Sequence, residues 1–294
     1  MIEAVVIGRV GIDLYPNQMR TPLREVRTYT RFAGGFAGNV ATGLARLGVA
    51  AAIVSRVGDD PHGEFVREWL AAEGVDVRFL RIDPDWLTPP TFCEIWPPDR
   101  FPILFYRRPT APDWQLAPSD LDFDIVADAP LLYASGTGLA QSPSRETTLA
   151  ALAAHRGTTI FDLDWRPTLW PDAADYPVLA AEAIAVSDLV IGNEEEVAAA
   201  RVGEVPRLVL KRGERGATVY EGGAATDVPG HSVEVVNGLG AGDAFAAALG
   251  HGLLRGLSLV ESVRLGNVAG ALVASQLACS EAMPRLEQLE EALV

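Results

Sequence analysis

Nine residues, Asn237-Gly238-Leu239-Gly240-Ala241-Gly242-Asp243-Ala244-Phe245, set one carboxylate among glycines directly before a run of strong helix formers that reaches Leu254 and is closed by Gly256. The unpaired first-turn amides of such a helix are partly positive and face whatever lies in front of Gly240, Ala241 and Gly242. Glycines admit phosphate oxygens close to the backbone, and Asp243 beside them is a base able to take a hydroxyl proton. Phosphoryl transfer is the chemistry this pattern serves. Alone, the same residues also describe a glycine-rich turn with an acidic helix start, so the rest of the chain has to decide.

Other chemistries lack their residues. No G-x-x-x-x-G-K-[ST] occurs, and Asp243 stands where the dinucleotide fingerprint needs its third glycine, which removes hydride transfer. The histidines, at 62, 155, 231 and 251, are scattered without metal-ligand spacing. A net charge of −15 argues against a nucleic-acid partner, because phosphate backbones need a basic surface. Among 24 basic residues only Lys211 is a lysine, in the turn Lys211-Arg212-Gly213-Glu214-Arg215-Gly216, where a compact ammonium is not equivalent to a guanidinium against phosphate.

The elements that must carry these groups follow a βαβ rhythm. Strands are expected at Val5 to Gly8, Ala51 to Ser55, Leu131 to Ala134, Thr159 to Leu163, Leu189 to Ile191 and Leu208 to Leu210. Helices are expected at Asn39 to Leu47, Gly63 to Glu73, Arg145 to Ala154, Tyr176 to Val186 and Glu194 to Arg201. Such alternation implies an α/β fold with a mostly parallel sheet covered on both faces and ligands at the carboxyl ends of its strands. The C-terminal third reads as helical apart from short strands near Thr218 and Val233. With 294 residues, 49% hydrophobic, the chain can bury a substantial core. Its start, Met1-Ile2-Glu3-Ala4-Val5-Val6-Ile7, is no signal peptide, and no apolar run approaches the ~18 residues of a membrane span. Cys93 and Cys279 read as reduced core thiols of a cytoplasmic protein.

The Gly240–Asp243 segment resembles the second signature of the ribokinase-like sugar kinases, the phosphofructokinase-B family. Ala33-Gly34-Gly35-Phe36-Ala37-Gly38-Asn39-Val40-Ala41, followed by Leu44, Leu47 and Gly48, resembles the first, about two hundred residues earlier. The resemblance covers nearly the whole chain. It implies a ribokinase-like three-layer sandwich in a single domain, 1–294, with a small β-sheet lid from segments about 13–32 and 91–108. It implies Asp243 as catalytic base with the Gly240, Ala241 and Gly242 amides as anion hole, and Asp13, Gly35 and Asn39 against the sugar. Asn193-Glu194-Glu195-Glu196 is similar to the family's N-x-x-E motif, which implies an indirect role for Glu196 in ordering Mg²⁺ through water. Asn193, Lys211, Gly213, Gly216 and Asn267 then fall on the ATP side. A monovalent cation stays an open question, and exposed lid edges invite a homodimer.

Four further stretches are similar to the branch that phosphorylates 5-dehydro-2-deoxygluconate: Asp13 to Gln18, Phe101 to Arg107, Phe161 to Trp170 and Cys279 to Pro284. The 2-dehydro-3-deoxygluconate kinases share the Tyr-Arg and Arg-Pro elements. Both act on a sugar acid, so the resemblance makes Arg107 and Arg166 carboxylate clamps. Asp164 departs from the asparagine usual in the family, and an extra acid beside a carboxylate or phosphate is unhelpful unless it is protonated or turned away, which counts against the sugar-acid substrate; the link from Glu196 to Lys211 is also short. A catalytically silent sugar-acid sensor on the same fold is the alternative of a different class, and the intact Asp243 argues against it.

Overall fold

A computed structural model describes residues 1–293. In chain order the regular elements are β1 (Ala4–Ile7), β2 (Gly11–Pro16), β3 (Tyr29–Gly34), α1 (Phe36–Arg46), β4 (Ala51–Gly58), α2 (Pro61–Ala72), β5 (Leu80–Asp83), β6 (Pro90–Cys93) and β7 (Ile103–Phe105). There follow α3 (Phe123–Asp128), β8 (Leu131–Ser135), α4 (Ser144–Ala154), β9 (Thr158–Asp162), α5 (Tyr176–Ala185), β10 (Leu189–Asn193) and α6 (Glu194–Ala200). The chain ends with β11 (Arg207–Lys211), β12 (Ala217–Glu221), β13 (Ala224–Val228), α7 (Ala241–Leu254), α8 (Leu259–Ala274) and α9 (Leu286–Ala292).

One nine-stranded sheet, ordered β13-β12-β11-β10-β9-β8-β1-β4-β5, is parallel from β11 to β5 and antiparallel at β12 and β13. From β1 the chain winds outward to β4 and β5, then returns to β8 on the other side of β1. The strand order therefore reverses between β1 and β8, where a crevice opens at the carboxyl ends of the strands. Alternation along β1 sends Ala4 and Val6 into the core under α1, α2 and α7, and Val5 and Ile7 into the core under α3 to α6. These are the two helical layers of the sandwich.

The two stretches that interrupt the rhythm pair into a separate sheet, β3-β2-β6-β7. Its pairs are antiparallel except β2 with β6, and its last strand ends at Phe105, so residues 106–108 lie outside it.

Helix boundaries shift for local reasons. α1 begins at Phe36 because Gly35, at φ +89°, turns the chain into it. α2 begins at Pro61, where Asp60 caps the amides of His62 and Gly63 at 2.8 and 3.0 Å. α7 already includes Ala241, which puts Asp243 inside its first turn. The strand expected near Val233 is absent among the described residues. The antiparallel partner of β12 comes earlier, at Ala224–Val228, because a tight turn through Gly222 and Gly223, both at positive φ, sends the chain straight back.

Helices α1 and α7 touch through small residues, and a Cβ built on Gly43 would lie 2.6 Å from Ala247 Cβ. Gly43→Val should therefore cost about 1–3 kcal/mol through overpacking, despite the better helix propensity of valine. A urea midpoint equal to that of the unsubstituted chain would show that the two helices are not in this contact.

Candidate active site

Asp243 is half-buried on the first turn of α7, and Asn39 of α1 donates to its Oδ2 at 2.7 Å. The same interval separates the next contact along both helices, Gly43 and Ala247, so one seam sets both. Tyr133 of β8 donates its hydroxyl to the Ala246 carbonyl and ties α7 to the middle of the sheet.

The glycine turn before α7 is held from three directions. Asn237 donates to the Leu277 carbonyl at 2.7 Å and accepts from the Leu239 amide at 3.1 Å. Gly240 adopts φ +82°, and a Cβ there would meet the Cys279 side chain at 2.8 Å. Ala241 makes a long bond to the Gly238 carbonyl at 3.4 Å, which leaves the amides of Gly242 and Asp243 without an acceptor among the described residues. A Cβ on Gly242 would come within 3.6 Å of Lys211 Nζ, so the only ammonium side chain stands beside these amides. Amides at a helix start together with a cation make an anion site.

Asp243 shares one cleft with Asp13, Gly35, Asn39, Gly240 and Arg166. Burial pushes the Asp243 carboxyl up to about 6 against the lowering effect of the Asn39 hydrogen bond. Burial likewise raises Asp13 to about 6, opposed by Arg9 and by a Tyr15 hydrogen bond and aided by the charge of Asp243. Gly35 faces the cleft, yet its more stringent duty is internal, since a Cβ would strike the Arg9 carbonyl at 2.6 Å.

Lys211 Nζ donates to Asp162 Oδ2 at 3.0 Å and lies 4.0 Å from Glu196 Oε2. Burial pushes its pKa down, but the two carboxylates outweigh that and hold it above the usual lysine value. Asn193 and Glu196 form a capping box on α6: Asn193 Oδ1 accepts from the Glu196 amide at 2.9 Å, and Glu196 Oε2 accepts from the Asn193 amide at 2.8 Å. The motif thus fixes a buried Glu196 whose other oxygen lies 3.7 Å from Arg166. Gly213 and Gly216 shape the turn after β11, where a Cβ on Gly216 would lie 2.2 Å from the Val228 carbonyl. Asn267 of α8 donates to the Val228 and Pro229 carbonyls at 3.3 and 2.9 Å, which occupies its amide with holding that loop.

Arg107 is not where a clamp would be. It is buried, donates to Asp113 Oδ1, and donates to the Val10 carbonyl at 3.2 Å, while Asp113 Oδ2 accepts from the Val10 amide at 2.9 Å. The pair grips both backbone groups of Val10 and leaves the guanidinium outside the Asp243 cleft, against a neighbouring cavity of about 610 Å³. The basic residue beside Asp13 is Arg9 instead, and its signal was a charged residue directly after an apolar strand that lies at the switch point. Asp164 is neither protonated nor turned away. Burial raises its pKa, but Arg9 and Arg166, with a hydrogen bond from Thr137, outweigh this and hold it at about 2. Its φ of +34° is a backbone conformation that aspartate and asparagine tolerate better than most residues.

The model of the pfkB family carbohydrate kinases matches residues 1–286. The chain belongs to that family. As a pfkB kinase it is 33% identical to a 5-dehydro-2-deoxygluconokinase of Clostridium tetani, over 99% of this chain and 92% of that one. An uncharacterized sugar kinase from Pyrococcus horikoshii, solved in complex with ATP, superposes with a TM-score of 0.88 at 29% identity, over 98% of this chain and 99% of that one. A fructokinase from Vibrio cholerae O395, in its fructose, ADP and calcium ion bound form, gives 0.87 at 26% identity, over 100% and 99%. This pfkB chain therefore has the ribokinase-like fold, with a large mostly parallel sheet and a smaller, mostly antiparallel one.

Breaking the buried Arg107–Asp113 pair from one side should cost about 3–5 kcal/mol by leaving the partner charge uncompensated. Thermal or urea melts of Arg107→Ala test this. A variant as stable as the original chain, with a raised KM for the sugar, would return Arg107 to the acceptor site.

Proposed function

We propose that this pfkB kinase transfers the γ-phosphoryl of ATP to the terminal hydroxyl of a sugar acid, 5-dehydro-2-deoxygluconate. The observation that carries the reading is the position of Asp243, a carboxylate raised to about 6 in a cleft, beside helix-start amides that lack acceptors among the described residues. Asp243 takes the proton of the acceptor hydroxyl as its oxygen bonds to the γ-phosphorus, the bond from that phosphorus to the β,γ-bridging oxygen breaks, and ADP leaves. The amides of Gly242 and Asp243 and the Lys211 ammonium offset the charge on the phosphoryl oxygens, which is where a protein contributes most to this reaction. Asn39 holds Asp243 in place, and Asp13 is set to accept hydrogen bonds from the sugar.

Among the described residues no three His, Cys, Asp or Glu side chains cluster to hold a metal. Mg²⁺ keeps several waters and takes few protein ligands, so it would arrive on the nucleotide, and Glu196 is the residue that would accept from those waters. When bound, the ion would neutralise phosphate charge. The sugar acid is supported by the relatives that bear that activity in their names and by Arg166 in the cleft.

We place the kinase in the cytoplasm, where ATP is supplied and two free cysteines stay reduced. A homodimer is supported by the outer face of the small sheet, where Tyr29, Phe92 and Tyr106 stack and Leu104 and Tyr106 are exposed.

ATP consumption across 5-dehydro-2-deoxygluconate, 2-dehydro-3-deoxygluconate, fructose and a nucleoside tests the assignment. The first should give the highest kcat/KM, and no consumption with any of them would mark a sensor. Asp243→Asn should fold and lose about 10²–10⁴-fold in turnover, the range of a general base. Because the base works deprotonated, kcat/KM should fall about tenfold per unit below pH 6 and level off above it. Asn39→Ala removes a pKa-lowering hydrogen bond and should move that limb to higher pH. A limb that ignores both substitutions would assign the proton transfer to another group.

A further inference from the structure

Strand β2 places Asp13 and Tyr15 two residues apart, on one face of the small sheet, and both line the cleft of Asp243. The Asp13 carboxylate lies across Gly34, where a Cβ would come 2.3 Å from its Cγ, and the Tyr15 hydroxyl reaches its Oδ2 at 3.4 Å. The same hydroxyl bonds Cys279 Sγ. The Cys279 side chain in turn lies flush with the glycine turn, since a Cβ on Gly240 would fall 2.8 Å from both its Cβ and its Sγ. Tyr15 and Cys279 are each 2% exposed, within an apolar cluster that includes Phe32, Cys93 and Ile95. One line of contacts thus runs from Asp13 through two buried side chains to the start of α7.

Counting protons gives that line a direction. An ionised carboxylate only accepts, and a phenol has a single O–H to give. Burial pushes both the Tyr15 phenol and the Cys279 thiol well above their usual values, so each keeps its proton. With Asp13 ionised, Tyr15 donates to Asp13, and the thiol donates to the Tyr15 oxygen. The segment that carries Cys279 is itself tied at both ends. The Leu277 carbonyl accepts from Asn237 at 2.7 Å, and Ser280 Oγ donates to the Ala33 carbonyl of β3 at 2.5 Å. It therefore bridges the glycine turn and the small sheet, with Cys279 between.

We propose that Tyr15 and Cys279 are positioning residues for the two halves of the reaction: Tyr15 aims the Asp13 carboxylate at the acceptor, and Cys279 holds the glycine turn whose amides face the phosphoryl group. The inference rests on the kinase reading above. Tyr15 acts through Asp13 because its one proton goes there. Cys279 acts through Gly240, whose φ of +82° sets where the following amides point and whose lack of a side chain leaves the sulfur as the wall behind the turn. The two losses are therefore expected in different kinetic constants, which a general weakening of the fold would not produce.

Steady-state kinetics with 5-dehydro-2-deoxygluconate and ATP, alongside thermal melts, test this. Tyr15→Phe should raise KM for the sugar acid about tenfold, the scale of a hydrogen bond to a charged group, with kcat and the KM for ATP within about twofold. Because the lost bond lowers the Asp13 pKa and Asp13 accepts only when ionised, the acid-side rise in that KM should begin at higher pH in the variant. Cys279→Ala should lower kcat about tenfold with the sugar KM within about twofold, and Cys279→Ser, which refills the space beside Gly240, should recover most of the loss. An unchanged sugar KM in Tyr15→Phe, or an unchanged kcat in Cys279→Ala, would overturn the proposal. Equal losses in both constants that follow the melting temperatures would reduce the pair to packing and overturn it too. If Cys279→Ala fails to melt cooperatively, Cys279→Val presses an added methyl on the same contact: a lowered kcat with the sugar KM kept supports the proposal, and an unchanged kcat overturns it. Sugar-acid binding by titration calorimetry without ATP consumption would overturn the kinase reading, and the Tyr15 arm would then be read from that binding, which Tyr15→Phe should weaken. If another acceptor of the panel is the one consumed, the same constants are read with it.

Discussion

The close approach of α1 and α7 sets the geometry on which the rest depends. Both helices carry small residues at their contact, Gly43 and Ala247, and one turn earlier the same face presents Asn39 to Asp243 at 2.7 Å. Asp243 lies in the first turn of α7, beside amides without an acceptor among the described residues, and its hydrogen-bond partner Asn39 lies on α1, which follows β3. Packing of two apolar surfaces therefore places one polar pair in the cleft. Rigid elements hold such groups more closely than loops do.

Around that pair the acids are sorted by their neighbours. Asp13, Asp162 and Asp243 are all raised, chiefly by burial, while Asp164 is lowered because two arginines face it. Asp162 takes the Lys211 ammonium, Asp164 stands between Arg9 and Arg166, and Glu196 lies within 4.0 Å of both Lys211 and Arg166. One side chain type is thus held at opposite ends of its titration range within one region, with environment rather than identity setting the difference.

Most of the architecture could be read before any coordinates. The alternation of short apolar runs with helical stretches is local information, and it yields the parallel sheet and its covering helices. Asp243, Asn39, Asp13 and Arg166, singled out from the residues beside them in sequence, line one cleft. Arg107 misled for a physical reason: its partner Asp113 lies six residues on, past a bend, and a sequence does not show that the two close on Val10. Arg9 was passed over because its meaning depends on which strand occupies the switch point, a property of strand order rather than of any segment. Asn193 and Glu196 carried a readable capping box, and that local bond accounts for their spacing whatever else Glu196 does.

Lys211 has a practical consequence that follows from composition and position together. It is the only lysine of the sequence, and its amine lies beside Gly242 at the start of α7 with its side chain 16% exposed. An acylating reagent therefore meets a single side-chain amine in this sequence. The carboxylates that keep the ammonium protonated also blunt its nucleophilicity, so acylation at this position would report whether that ionic cage is intact.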